Sequence, residues 1–117
     1  MSFKFEKLKI WQLSLELADE IHRLTRFFPR EEMFSLTSQI KRAADSVSLN
    51  IVEGSTGLSD KEFRRFLHIA NRSALEVVGC LYLARRRNYI SDEIFSKYYT
   101  QTETLVKMIQ AFINSLN

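Results

Sequence analysis

Apolar residues recur along this chain at intervals of three and four, and three short interruptions cut the recurrence into four segments. In the first segment Ile10, Leu13, Leu17, Ile21, Leu24 and Phe28 follow one another at helical spacing, and Trp11, Leu15 and Ala18 widen that face. In the second, Leu36, Ile40, Ala43, Ala44, Val47 and Ile51 share a face. The third stripe is Phe63, Phe66, Leu67, Ala70, Ala74, Val77, Val78 and Leu81. The fourth is the most regular: Phe95, Tyr98, Thr102, Leu105, Ile109, Phe112 and Leu116 alternate steps of three and four, a heptad seam with Thr102 as its one polar member. The interruptions are Phe28-Pro29-Arg30, the stretch from Glu53 to Ser59, and Asn88-Tyr89-Ile90-Ser91. Pro29 cannot sit inside a helix. The predicted helices therefore span roughly 9–27, 33–53, 60–87 and 92–116. No segment alternates with period two, so strands are not expected.

End signals agree with this division. Ser59-Asp60-Lys61-Glu62 reads as a capping box opening the third helix. Gly54 suits a C-terminal cap for the second, and Asn88 a left-handed cap for the third. Arg85, Arg86 and Arg87 fall where the helix dipole favours cations. Ser91 with Asp92 opens the fourth helix. At about 1.5 Å per residue the third helix would be about 42 Å long. Four helices joined by short connections predict an all-α, antiparallel up-down-up-down four-helix bundle, with residues 1–117 as a single domain.

Composition narrows the class. Three Gly and one Pro in 117 residues are too few for a sandwich or barrel, which needs turn residues at short intervals. One Cys leaves no internal disulfide framework. No apolar run approaches the length of a membrane span, and the charged opening MSFKFEKLKIWQ is unlike a signal peptide, so the expected address is the cytoplasm, with no membrane partner. The net charge of +3 permits nucleic-acid contact without demanding it.

Enzyme signals are weak. Asp19-x-x-His22 occurs once, on one helix, whereas a carboxylate-bridged di-metal bundle needs two Glu-x-x-His motifs on facing helices. Cys80 reads as a packing residue. Gly54-Ser-Thr-Gly57 lacks the Gly-Lys-Ser/Thr ending of a phosphate loop. No cofactor or metal is expected. Two polar constellations stand out instead. Lys61, Arg64, Arg65, His68 and Arg72 fall within about 100° of arc on the third helix, opposite its apolar stripe, where they could track phosphates or simply be solvated. Gln39, Arg42, Ser46, Asn50 and Glu53 form a stripe beside the apolar face of the second helix. A polar network reaching Ser73 and Glu76 would satisfy them; a subunit interface or ligand pocket is the alternative. Fourteen aromatic side chains are more than a small bundle can enclose, and Phe3, Phe5, Trp11, Phe27, Phe34, Tyr82, Tyr89 and Tyr99 lie off or at the edge of the stripes. Surplus aromatic surface points to self-association or to covered bundle ends.

The block from Ser38 to Val47, followed by Asn50-Ile51-Val52-Glu53-Gly54, resembles the bacterial family encoded by 23S rRNA intervening sequences. The resemblance continues through Glu62-Phe63, Phe66-Leu67-His68-Ile69-Ala70, Ser73-Ala74-Leu75-Glu76 and Asn88-Tyr89-Ile90. It includes the opening Phe5-Glu6-Lys7-Leu8 with Trp11-Gln12, and Phe28-Pro29 before Glu32. It departs where the family carries Arg soon after Glu-Gly, here Gly57-Leu58, and where it reads Ala-Arg-Gly-Ser, here Ala70-Asn71-Arg72-Ser73. The resemblance implies a four-helix bundle without enzymatic activity that forms a homo-oligomer, in known relatives a pentamer. Relatives include the accessory protein of diversity-generating retroelements, which works with a reverse transcriptase and its RNA through a basic surface. The family's link to ribosomal RNA is one of genetic position. Together these readings favour a small oligomeric protein binding structured RNA or other nucleic acid through the third helix. The alternative is a homo-oligomeric scaffold for a protein partner.

Overall fold

The computed structural model describes residues 2–57 and 59–116. Four α-helices carry the fold: α1 (Lys9–Leu24), α2 (Leu36–Ser55), α3 (Asp60–Arg86) and α4 (Asp92–Ser115). No strand occurs among the described residues. Helix α2 packs most extensively on α3, α3 on α4 and α1 on α2, while a thinner α1–α4 contact closes the bundle. The packing runs antiparallel. Ser46 meets Ser73 and Gln39 meets Glu76, so α3 descends as α2 ascends. Phe63 meets Phe112 and Tyr82 meets Phe95, which reverses α4 against α3. Four residues separate α2 from α3 and five separate α3 from α4, too few for any course but reversal. The result measures 43 × 23 × 21 Å.

The predicted stripes face inward, except that Leu15, expected to widen the α1 face, is exposed. Leu17, Ile21, Ile40, Val47, Ile51, Phe63, Leu67, Val77, Leu81 and Ile109 are fully buried. Each such side chain contributes about 1.5–3 kcal/mol by leaving water. Thr102, the polar member of the α4 seam, is buried as well, and its hydroxyl donates to the Tyr98 carbonyl at 2.7 Å. That bond inside its own helix removes the cost of an unmet hydroxyl. Ser14 is buried in the same way, donating to the Trp11 carbonyl at 2.6 Å.

Three boundaries differ from expectation. Helix α1 tightens into a 3-10 turn over Thr25–Phe27, because Phe28 must be extended ahead of Pro29. The second helix begins at Leu36, since Arg30–Glu32 form their own 3-10 turn. That turn is anchored by Glu32. Its carboxylate accepts from Ser35 Oγ at 2.6 Å, Tyr89 OH at 2.7 Å, Arg87 Nη1 at 3.0 Å and Leu36 N at 3.3 Å. One side chain thus caps α2 and ties it to the α3–α4 connection. Finally, Gly54 is not a terminal cap. It lies within α2, and a Cβ there would stand 2.8 Å from Phe66 Cβ and 2.9 Å from Phe63 Cδ1. Glycine lets the two helices close together; the left-handed residue that follows is Gly57, with φ +65°. Asn88 takes the left-handed cap as expected, with φ 62°. Ser59 and Ser91 accept from Glu62 N and Ile94 N at 3.1 Å, capping α3 and α4. The carboxylate of Glu62 turns to Arg65 and leaves only the Ser59 half of the capping box.

Candidate nucleic-acid interface

Helix α3 is amphipathic along its whole length. Phe63, Leu67, Ala70, Ala74, Val77, Leu81 and Ala84 are buried in the bundle, which turns the opposite face to solvent. Lys61, Arg65, His68 and Arg72 are exposed on that face and Arg64 is half-buried. The five positions therefore share one surface, but they are not equivalent. Arg65 donates to Glu62 Oε1 at 2.8 Å, and its guanidinium carbon lies 4.6 Å from the Phe66 ring centre. The hydrogen bond and charge of Glu62 raise the Arg65 pKa, and Arg65 lowers that of Glu62. Arg64 tucks Nη1 out of solvent with no hydrogen-bond partner among the described residues. Lys61, His68 and Arg72 enter no ion pair with described residues. The Lys61 and Arg72 charges face outward uncompensated, the arrangement a phosphate backbone can use.

The stripe on α2 divides. Ser46 and Ser73 hydroxyls lie 2.8 Å apart, bridging α2 to α3, and Asn50 Nδ2 donates to the Ser46 carbonyl at 2.8 Å and hydroxyl at 2.9 Å. Gln39 Nε2 reaches Glu76 Oε2 at 3.3 Å across the same seam. Arg42 and Glu53 stand outside this network, exposed and without a polar partner among the described residues. They lie about 140–160° around α2 from the core direction, past the seam and facing water. Arg42 lines an open groove of about 730 Å³ together with Ser46 and Asn50 of the network, and with Met33, Phe34, Asp45 and Leu49. Phe34 at its rim is 92% exposed. His22 Nε2 lies 3.0 Å from Asp45 Oδ1 on α2, so its partner is not the Asp19 of its own helix. The pocket offered as the alternative for the α2 stripe falls here through Arg42, Ser46 and Asn50, while the groove's apolar edge went unread. Its signal was available: Leu49 is an apolar residue opposite the core stripe of α2.

The surplus aromatics also divide. Phe27 is 77% exposed, and Phe3 and Tyr82 are exposed too. Trp11, Tyr89 and Tyr99 pack against the core, and Phe5 is half-buried with its ring edge-on to Trp11 at 4.8 Å. Cys80 is buried, and desolvation, aided by the charge of Glu76, pushes its thiol up to about 11. A thiol held protonated in this way is a poor nucleophile. No helix among the described residues is long and apolar enough to cross a membrane.

Fold and surface together define a small helical-bundle protein with a basic outer helix. The chain belongs to the 23S rRNA-intervening sequence protein family, whose model matches residues 6–111. Among solved structures it is similar to a protein of unknown function from the S23 ribosomal protein family of Bacteroides thetaiotaomicron, with a TM-score of 0.83 and 29% identity over 91% of this chain and 99% of that one. Comparison with curated proteins returns no match.

Proposed function

We propose that this protein is a non-enzymatic, homo-oligomeric binder of RNA or other nucleic acid, with the outer face of α3 as its contact surface. The observation that carries the reading is the set of exposed cations Lys61, Arg65 and Arg72, with His68 between them, on one straight helix face. Phosphate contacts of this kind fix position and are insensitive to base identity. One copy offers too few charges to hold RNA tightly, and several copies on one assembly multiply them through avidity. Membership of a family named for a 23S rRNA intervening sequence is compatible with the reading, although a genetic location is not a contact.

The test is size-exclusion chromatography with light scattering on protein purified at low salt, with absorbance read at 260 and 280 nm. The expected result is an oligomer carrying RNase-sensitive 260 nm absorbance that salt removes. Arg65→Glu with Arg72→Glu should abolish that absorbance and leave helicity and mass intact. These two suit the test better than Arg64, whose partly buried guanidinium makes reversal a packing change. RNA retained by the double variant would sink the reading.

A second reading is a scaffold for a protein partner, supported by the α2 groove with Met33, Phe34 and Leu49 exposed at its edge. Binding there would be weakly salt-dependent and lost in Phe34→Ser.

A further inference from the structure

The cationic face of α3 does not end at Arg72. At about 100° per residue, Leu75, Gly79, Tyr82, Leu83 and Arg86 fall in the same arc of about 100° as Lys61, Arg64, Arg65, His68 and Arg72. All five added residues are exposed. The three acids of the helix, Asp60, Glu62 and Glu76, fall outside the arc. A single ridge therefore runs the full length of α3, with cations near both ends and apolar side chains between. A Cβ placed on Gly79 would meet nothing within 4 Å, so the ridge dips there. Beyond the dip, Tyr82, Leu83, Arg85 and Arg86 line a notch of about 400 Å³.

The notch is preorganised. Tyr82 is 47% exposed, yet its ring is held edge-on by Phe95 at 4.8 Å and by Tyr99 at 6.4 Å. Arg85 places its guanidinium 3.8 Å over Phe95 and 5.2 Å from the Tyr82 ring centre. Arg86 stands exposed at the rim, in no ion pair with a described residue. A fixed, half-open aromatic ring beside an unpaired cation matches the two faces of a nucleotide, a flat base and a charged phosphate.

We propose that this notch holds an unpaired nucleobase, stacked on Tyr82 with its phosphate against Arg86, and that α3 thereby prefers single-stranded to double-stranded nucleic acid. The inference rests on the nucleic-acid reading above and adds the class of ligand. A basic ridge alone contacts either form; only a strand with free base faces can use the ring.

The full-length chain is titrated at low salt against a fluorescein-labelled oligoadenylate of about twelve nucleotides and against a blunt RNA duplex of the same length, by fluorescence anisotropy. Tyr82→Ala should weaken the single strand between about fivefold and a hundredfold and leave the duplex unchanged, while Tyr82→Phe retains both affinities. Wild-type binding of both probes by Tyr82→Ala would overturn the notch and leave the ridge standing. Failure of the wild type to bind either probe would overturn both readings. Displacement of the oligonucleotide by polyglutamate of equal charge, at equal concentration, would make the notch an acidic-protein surface and overturn the base. Should Tyr82→Ala lose helicity, the same oligonucleotide with one 2-aminopurine decides. Its fluorescence must change on saturation by wild type and by Tyr82→Phe, and an unchanged signal overturns the stacking.

Discussion

Two glycines on adjacent helices carry opposite meanings. At Gly54 a methyl group would strike Phe66 and Phe63 on the facing helix, whereas at Gly79 it would meet nothing. Gly54→Ala should therefore destabilise the fold by about 1–3 kcal/mol through overpacking. Gly79→Ala should stabilise it by about 0.5–1 kcal/mol, the ordinary gain of alanine over glycine in a helix. Urea denaturation of the two variants checks both signs at once. Glu32 supplies a third prediction. The Ser35 hydroxyl first, then the Tyr89 hydroxyl, the Leu36 amide and the Arg87 charge hold its carboxyl down at about 2, from an ordinary value of 4.5. A carboxyl depressed in the folded state stabilises fully above its unfolded pKa and stops doing so as pH falls through its folded one. The wild type should thus lose stability between about pH 4.5 and pH 2, and Glu32→Gln should lose less over that window. Equal acid titrations of the two would show that Glu32 does not anchor the turn.

At the scale of elements, the spacing of apolar residues located all four helices, because burial of one face is what makes an amphipathic segment helical at all. Where the reading went astray, the cause was three-dimensional. Gly54 looks like a stop signal along the chain, and only the approach of α3 makes it a contact. Arg42 and Glu53 lie in the same stripe as Ser46 and Asn50, yet a few tens of degrees of rotation separate a seam from open water. The hub at Glu32 joins residues 57 positions apart, a distance no local motif reports. Of the candidate interface, the cations were legible from periodicity, while the half-burial of Arg64 was not. The α3–α4 seam offers its own test. Asn71 is buried in it with Oδ1 unpartnered among the described residues and Nδ2 only 3.5 Å from the Val106 carbonyl. Asn71→Leu keeps the branching and heavy-atom count and leaves no polar atom unmet, and should raise stability by about 1 kcal/mol. A drop in the thermal midpoint would mean that the amide is better satisfied than this geometry allows.

For the whole molecule, the cationic ridge of α3 and the apolar-rimmed groove of α2 stand open among the described residues. Their properties predict different responses to solution conditions. Contacts on the ridge should weaken steeply with salt, and contacts in the groove should persist. If the proposed oligomer forms through the groove, Phe34→Ser should shift the light-scattering mass toward the monomer and weaken the proposed RNA binding with it, since avidity follows copy number. An unchanged mass would free Phe34 from the assembly surface. Trp11 and Tyr99, packed on the core, are poor probes of that question, because changing them perturbs folding first.

The burial of Cys80 gives the molecule a clock of its own. It is the sole thiol in the chain and lies in the interior of α3, protonated at neutral pH. A thiol-specific reagent can reach it only when the helices part, so the rate of modification counts openings rather than collisions. Any ligand that clamps the closed bundle should slow that rate in proportion to its occupancy. Partner binding on the outside can then be timed from the inside, without a label on either molecule.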